Sequence, residues 1–465
     1  MNFKIKYITG LSIVVAVSLI ALESSSFIDF SHGILDNPKV IATHNFTQGH
    51  NPSISVNPNT GDLYAVYYQT QNNSTNLYLT KSTDNGTTYS NPIRVNDKLG
   101  GAADTFNSIP IEFGENNEVY VAWMDSEEDP DYPWGYNTLR FSKSMDGGKT
   151  FSPAVNPVIG LKSINVFFDL VRTGNDTLYL SFLSALPNES GTPIIGYPAS
   201  YAMVKSLDGG KTFGSPITLD KQSCVCCQTS STVGPDGEIY FAWRDLQHES
   251  DLIPVNPENP YNYGFANGSL FEDFNYDDYE AIRDIKVMHT IDNAQGIKFS
   301  PVYAVSEDNW YINGCPDAGP GMAFDSNGVL HVAWFTGSKT ADNGLGYYYA
   351  YSVDKGATFS KPIPLLTDKE FVPPTEVSLD IDKNDNVWIT FIDQQSTDIL
   401  RYSKIDFGFP SKMHLSVIDE NHQIVFNGPI IEGGIGEMTD IAVGKDKAFI
   451  AYRDGDDAKI STLTM

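Results

Sequence analysis

Three of the chain's four cysteines stand in SCVCCQTS, as Cys224, Cys226 and Cys227, and the fourth is Cys315 in INGCPDAGPG. Cysteines this close either cross-link or hold a soft cation such as Cu(I) through their thiolates. The Cys-x-Cys-Cys spacing matches no standard zinc motif, and no histidine stands near it in sequence. In an exported chain, four cysteines suggest two disulfides. Adjacent Cys226 and Cys227 would need a distorted peptide to bond each other. The expected pattern therefore bridges Cys315 to one of the three and pairs Cys224 with Cys226 or Cys227, leaving no free thiol. Thiolate binding of copper is the alternative.

A second set of reactive groups consists of Arg-Asp neighbours. WRD places Arg244 beside Asp245, IRD places Arg283 beside Asp284, and YRD places Arg453 beside Asp454. Guanidinium forks clamp carboxylates, and paired carboxyls divide acid and base roles. The chain has only seven arginines, so three such pairs are a concentration. They point to a pocket where Arg244, Arg283 and Arg453 bind an acidic group, with Asp125 and Asp393 alongside. Asp245, Asp284 or Asp454 would be the acid or base, and Arg401 is a further candidate. Salt bridges between neighbouring elements are the competing use.

The elements that must position these groups are repeats. Seven segments alternate apolar residues and end near an aromatic: LYAVYY, VYVAWMD, LYLSFLS, IYFAWRD, LHVAWFT, VWITFID and AFIAYRD. Their aromatics, Tyr67, Trp123, Phe182, Trp243, Trp334, Phe391 and Tyr452, recur about every 60 residues, the self-similarity of a propeller or solenoid. A turn and a shorter strand precede each segment (SISVNP, GMAFDS, VSLDID). The expectation is an all-β, seven-bladed β-propeller with four strands per blade. The seventh unit runs out at KISTLTM, one strand short. NPKVIATH (Asn37 to His44) begins as fourth strands do, so the N-terminal strand should close the last blade.

Between third and fourth strands a turn recurs as Ser-x-Asp-x-Gly-x-Thr-aromatic. Intact copies are Ser82-Asp84-Gly86-Thr88, Ser144-Asp146-Gly148-Thr150, Ser206-Asp208-Gly210-Thr212 and Ser352-Asp354-Gly356-Thr358, and two more are degenerate. The Asp can accept turn N–H groups, the Gly can take a positive φ, and the aromatic (Phe213, for one) can tuck between blades. This turn resembles the Asp-box, or bacterial neuraminidase (BNR) repeat, of the sialidase-like propellers, and the resemblance covers the chain beyond its first 30 or so residues. It implies a propeller that acts on or binds glycans, with exo-α-sialidase-like hydrolysis as the enzymatic form. Catalytic members carry an Arg-Ile-Pro motif where this chain reads FNSIPIEFG. They also have six blades and a Tyr-Glu nucleophile pair that no motif assigns here. The two cysteine segments resemble those of uncharacterised exported Asp-box proteins.

Strand order puts the Asp boxes on one face of such a ring. The Arg-Asp pairs and both cysteine segments go to the opposite channel mouth. Blade four carries an insertion of about 30 residues, Leu246 to Ala281, expected as a lid or binding loop. The acidic stretch DSEEDPDYPWGYN after Asp125 reads as a second loop with oxygen ligands for Ca2+, though without EF-hand spacing.

The bulk numbers agree with a folded, exported protein. Hydrophobic residues make up 41% of the 465, too many for disorder, and 38 Gly and 26 Pro are spread throughout. A net charge of −28 disfavours nucleic acid and anionic membrane surfaces as partners. Lys4 and Lys6 followed by an apolar run from Ile8 to Leu22 mark a signal peptide or N-terminal membrane anchor. The domain reading is therefore 1–30 for that segment and 36–465 for the propeller, outside the cell or on its surface. A monomer with a glycan or glycoprotein ligand is expected. A non-catalytic surface module binding a glycan or protein is the alternative, and a cysteine-based copper protein a second one. No cofactor is required by the first reading.

Overall fold

The aromatic-ended segments are strands because both of their faces find apolar cover. Ile239–Arg244 and Leu330–Thr336 are buried at every position. Such strands read as continuous apolar runs, and they lie second from the axis in each blade. In the computed structural model, described residues are 37–465 except 105–107, 130–131, 162–165, 175, 185–198, 225, 247–279, 294–295, 314–315, 339–340, 342, 369–374, 394–410 and 433–437. The expected signal or anchor, nearly all of the blade-four insertion, Arg401 and Cys315 lie outside them.

The strands form seven antiparallel blades. Their inner strands are Gly49–Val56, Ile111–Phe113, Val166–Thr173, Ser230–Val233, Gly321–Phe324, Ser378–Ile381 and Thr439–Val443. These contact one another in sequence order, and the last contacts the first, so the ring is closed. The chain is a seven-bladed β-propeller. Blade 2 completes its fourth position with a single bridge, Phe141 to Val155. The outer edge of blade 4 is split between Gly296–Phe299 and Tyr303–Ala304.

Closure comes from the N-terminal strand, as expected. Val40–Thr47 pairs antiparallel with Asp457–Thr464, Thr43 opposite Ser461 and Thr47 opposite Asp457. Lys39 N donates to Thr464 Oγ1 at 3.0 Å, extending the pairing by a residue.

The four Asp-box turns share one geometry. In the third, Gly210 N donates to Ser206 Oγ at 2.9 Å, while Thr212 N and Thr212 Oγ1 donate to the two oxygens of Asp208 at 2.9 and 2.7 Å. Those bonds hold the Asp208 carboxyl down to about 2. Gly210 has φ +79°, and a Cβ there would stand 2.0 Å from the Phe141 ring of blade 2. Phe213 packs edge-on against that same ring, at 5.3 Å. The turn therefore both ends a strand and docks its blade onto the preceding one.

The stretch after Asp125 is not a loop. Val119–Asp129 and Tyr132–Ser144 run through it as one long hairpin, in register to Asp129 opposite Tyr132. Across the pair Tyr136 Oη donates to Glu127 Oε2 at 3.1 Å, a cross-strand contact that favours continued pairing.

Candidate functional site

Where blades 4 and 5 adjoin, the structure gathers part of the expected set into a buried knot. Arg244, at the end of a second strand, is 1% exposed. Its Nε donates to Ala318 O, its Nη1 to Arg283 O and its Nη2 to Phe335 O, at 2.9, 2.6 and 2.7 Å. The guanidinium also lies over Trp310, 4.9 Å from the ring. Asp284 accepts from the backbone N–H groups of Asn309 and Trp310 at 3.0 and 3.1 Å, and its burial raises its pKa. Asp245 N donates to Asp284 O, and Cys224 N to Arg244 O, both at 2.9 Å. These groups tie loops of two blades together, and Arg244 points its donors at backbone, not at a lumen.

The cysteines complete the knot in an unexpected state. Cys226 is disulfide-bonded. Cys224 and Cys227 are free thiols with sulfurs 2.9 Å apart, both fully buried. The expected pairing of Cys224 with a neighbour, leaving no free thiol, therefore does not hold. Arg283 Nη1 donates to Cys224 Sγ at 3.0 Å, and Arg283 Nε has no partner among the described residues. Burial pushes the Cys224 thiol up, but the Cys227 hydrogen bond and the Arg283 and Arg244 charges outweigh it and bring it to about 6. Cys227 goes the opposite way, raised by burial and by its neighbour's sulfur.

The other expected residues lie apart from this knot. Arg453 donates from Nε to Gly455 O at 2.9 Å, and its charge acts on Asp104, which accepts from Asn51 at 2.8 Å. No described contact joins Arg453 to Arg244 or Arg283. Asp454 pairs with Lys459 at 2.5 Å. Asp125 is 2% exposed, 3.4 Å from Arg140 Nε, and its burial raises its pKa. Asp393 ends the second strand of blade 6 and is also partnered.

A second feature was not anticipated. The seven inner strands enclose an axial cavity of about 220 Å3, lined by Glu112, Asp169 and Asp440 together with serine, threonine and aliphatic side chains. Among the described residues no arginine or lysine lines it. Asp169 Oδ2 accepts from Ser231 N of blade 4 at 2.6 Å, and Asp440 Oδ2 from Ile54 N of blade 1 at 2.8 Å. Asp380, on the inner strand of blade 6, likewise accepts from Val443 N of blade 7 at 2.7 Å. Each carboxylate supplies an acceptor to an inner-strand N–H that has no ladder partner across the blade gap. Glu112, Asp169 and Asp440 line the lumen, Asp380 stands on the neighbouring inner strand, and burial dominates the titration of all four. Glu112 is pushed up to about 8, with the Asp169 charge adding to the effect, Asp169 to about 7, and Asp380 and Asp440 to about 6. With the Gln228 amide oriented to satisfy its neighbours, its nitrogen donates to Glu376 and its oxygen accepts from Ser108 Oγ at 3.0 Å. That links blades 4, 6 and 2 across the axis.

No protein-family model matches the chain, and no curated protein matches it. Among solved structures it is similar to a protein of unknown function from Dyadobacter fermentans, at 11% identity over 92% of this chain and 98% of that one, TM-score 0.45. It is similar to the Hadza microbial sialidase Hz136 at 11% identity over 88% and 74%, TM-score 0.47. It is also similar to an α-L-arabinanase of Penicillium chrysogenum, crystallised with arabinobiose, at 13% identity over 83% and 98%, TM-score 0.44. These scores are low, so the fold assignment rests on the strand pairing.

The channel carboxylates did leave a trace in the sequence. IEF, FFDL, SLDI and TDIAV each set one acid among apolar residues in an inner strand. An acid in a strand that should be buried is the signal that was available.

Proposed function

We propose that this protein is an exported glycan-binding propeller whose axial channel takes a neutral or amino-bearing sugar unit and rejects an acidic one. The observation that carries this reading is the lining: hydroxyls, a carboxamide and three carboxyls, with no basic side chain among the described residues. A carboxylated ligand entering there would meet Asp440, which at about 6 is largely ionised at pH 7, with no basic side chain among the described lining residues to offset it. The arginines expected to receive it are turned away, Arg244 onto backbone carbonyls and Arg283 onto a cysteine sulfur. The cavity has room for one small ligand and not for an extended chain. A hydrolytic version would place acid–base work on Glu112 and Asp169, whose shifted carboxyls keep a proton near neutral pH.

The test is a thermal-shift panel at pH 7 with neutral monosaccharides, amino sugars and N-acetylneuraminic acid, run beside aryl glycosides for turnover. Neutral or amino sugars should raise the melting temperature, and Ser230→Trp, which fills the lumen, should remove the effect. Stabilisation by N-acetylneuraminic acid alone would reverse the proposal.

A further inference from the structure

Neither the propeller architecture nor the channel needs Cys224 and Cys227 as free thiols. We propose that these two cysteines form a binding site for a monovalent thiophilic cation of the Cu(I) class, held between their two sulfurs beside Arg283. This inference does not depend on what the channel binds.

Geometry comes first. Cys224 and Cys227 stand in Cys-x-x-Cys spacing, with their thiol sulfurs 2.9 Å apart in a fully buried setting. Rotation of one thiol about its side-chain torsion must open that gap to the roughly 4.5 Å that two metal–sulfur bonds of about 2.3 Å span. Cys226 lies between them in sequence, its sulfur 3.6 Å from that of Cys224. It is disulfide-bonded, so it offers no thiolate. Among the described residues, the group of potential ligands holds only these three sulfurs, with no histidine or carboxylate. Two thiolates are too few for Zn2+, which takes four ligands at a structural site. They suit a soft cation that prefers sulfur over nitrogen or oxygen.

Charge then selects the valence. Two thiolates and one monovalent cation carry a net charge of minus one into a dry site, where an unbalanced charge is costly. Arg283 supplies the opposite charge, with Nη1 3.0 Å from Cys224 Sγ. Its Nε is the independent sign of a missing anion. That N–H belongs to a side chain only 2% exposed and has no partner among the described residues. A guanidinium buried with donor capacity unspent fits an anionic complex larger than one thiolate. Loading moves no electron: two sulfur–metal bonds form, and the thiol protons pass to solvent.

The experiment uses the full chain, purified and handled without oxygen. Alkylation under denaturing conditions, followed by peptide mapping, should label Cys224 and Cys227 and leave Cys226 unlabelled. Titration of the folded protein with Cu(I) against a chromophoric Cu(I) chelator, and separately with Ag(I), should show one equivalent bound per chain. Excess Zn2+ should not compete. Cys224→Ser and Cys227→Ser should each abolish binding, and Arg283→Met should weaken it by about 10-fold or more, as loss of an outer partner does at metal sites. If those variants fail to fold, X-ray absorption on the wild-type copper complex decides, with two sulfur neighbours and no nitrogen expected. The proposal is overturned if Cys224 and Cys227 are isolated as a disulfide that the folded protein does not release to reductant. It is equally overturned if Ag(I) binding survives alkylation of both, or if Zn2+ binds as tightly.

Discussion

At the scale of single residues, Arg244 shows how one side chain can be read two ways. Its position at a strand end beside an Asp is what a ligand clamp would have, and sequence cannot say which backbone will face it. In the folded chain three of its N–H groups meet carbonyl oxygens contributed by three separate segments. Replacing it by Ala leaves those carbonyls buried and unpaired, so Arg244→Ala should cost about 3 kcal/mol or more. Lys, a point charge on a flexible stem, should not restore it. Urea melts measure both, and a native-like midpoint for Arg244→Ala would mean that the knot is not structural. Gly210 makes a sharper case, because both its φ of +79° and the Phe141 ring 2.0 Å from a would-be Cβ exclude a side chain. Gly210→Ala should destabilise by about 2 kcal/mol or more.

At the scale of elements, the closing strand carries the clearest test. Val40–Thr47 is mostly exposed, with Phe46 its one buried side chain, so it holds chiefly through ladder hydrogen bonds to Asp457–Thr464. At about 0.5–1 kcal/mol each, these sum to roughly 4 kcal/mol. Deleting 37–47 should lower the urea midpoint accordingly and expose a strand edge that promotes association. A monomer with unchanged midpoint would show that the ring does not depend on this strand. Blade count, strand roles and closure were legible because apolar alternation and turn chemistry are local signals that repeat seven times. The cysteine state was not legible. Four cysteines allow three pairings, and the choice depends on loops from two blades meeting.

At the scale of the whole molecule, the ring draws acidic side chains toward its axis. Glu112, Asp169, Asp380 and Asp440 titrate at about 8, 7, 6 and 6, all above their unfolded values. These four groups bind more protons in the folded chain than in the unfolded one between about pH 4 and pH 8, so their contribution falls as pH rises through that window. His331, lowered to about 4 by burial, and Cys224, lowered to about 6, work the other way. The exposed boxes act oppositely: Asp84 and Asp208 are held down to about 2, so their contribution is present above about pH 4 and lost toward pH 2. Compared with the wild type, Asp440→Asn should lose the part of the pH dependence of the melting temperature that falls between about pH 4 and 6, the span over which the raised Asp440 carboxyl gives up its proton. Identical pH profiles for Asp440→Asn and the wild type would contradict a raised Asp440 carboxyl. The same carboxyls define what the channel accepts, and a crystal structure of the protein soaked with an amino sugar tests that most directly. Ordered density for the sugar in the axial cavity, its amine or hydroxyls on Glu112, Asp169 or Asp440, is the predicted result. An empty channel with the ligand bound elsewhere, or N-acetylneuraminic acid occupying the channel in a parallel soak, would contradict the account.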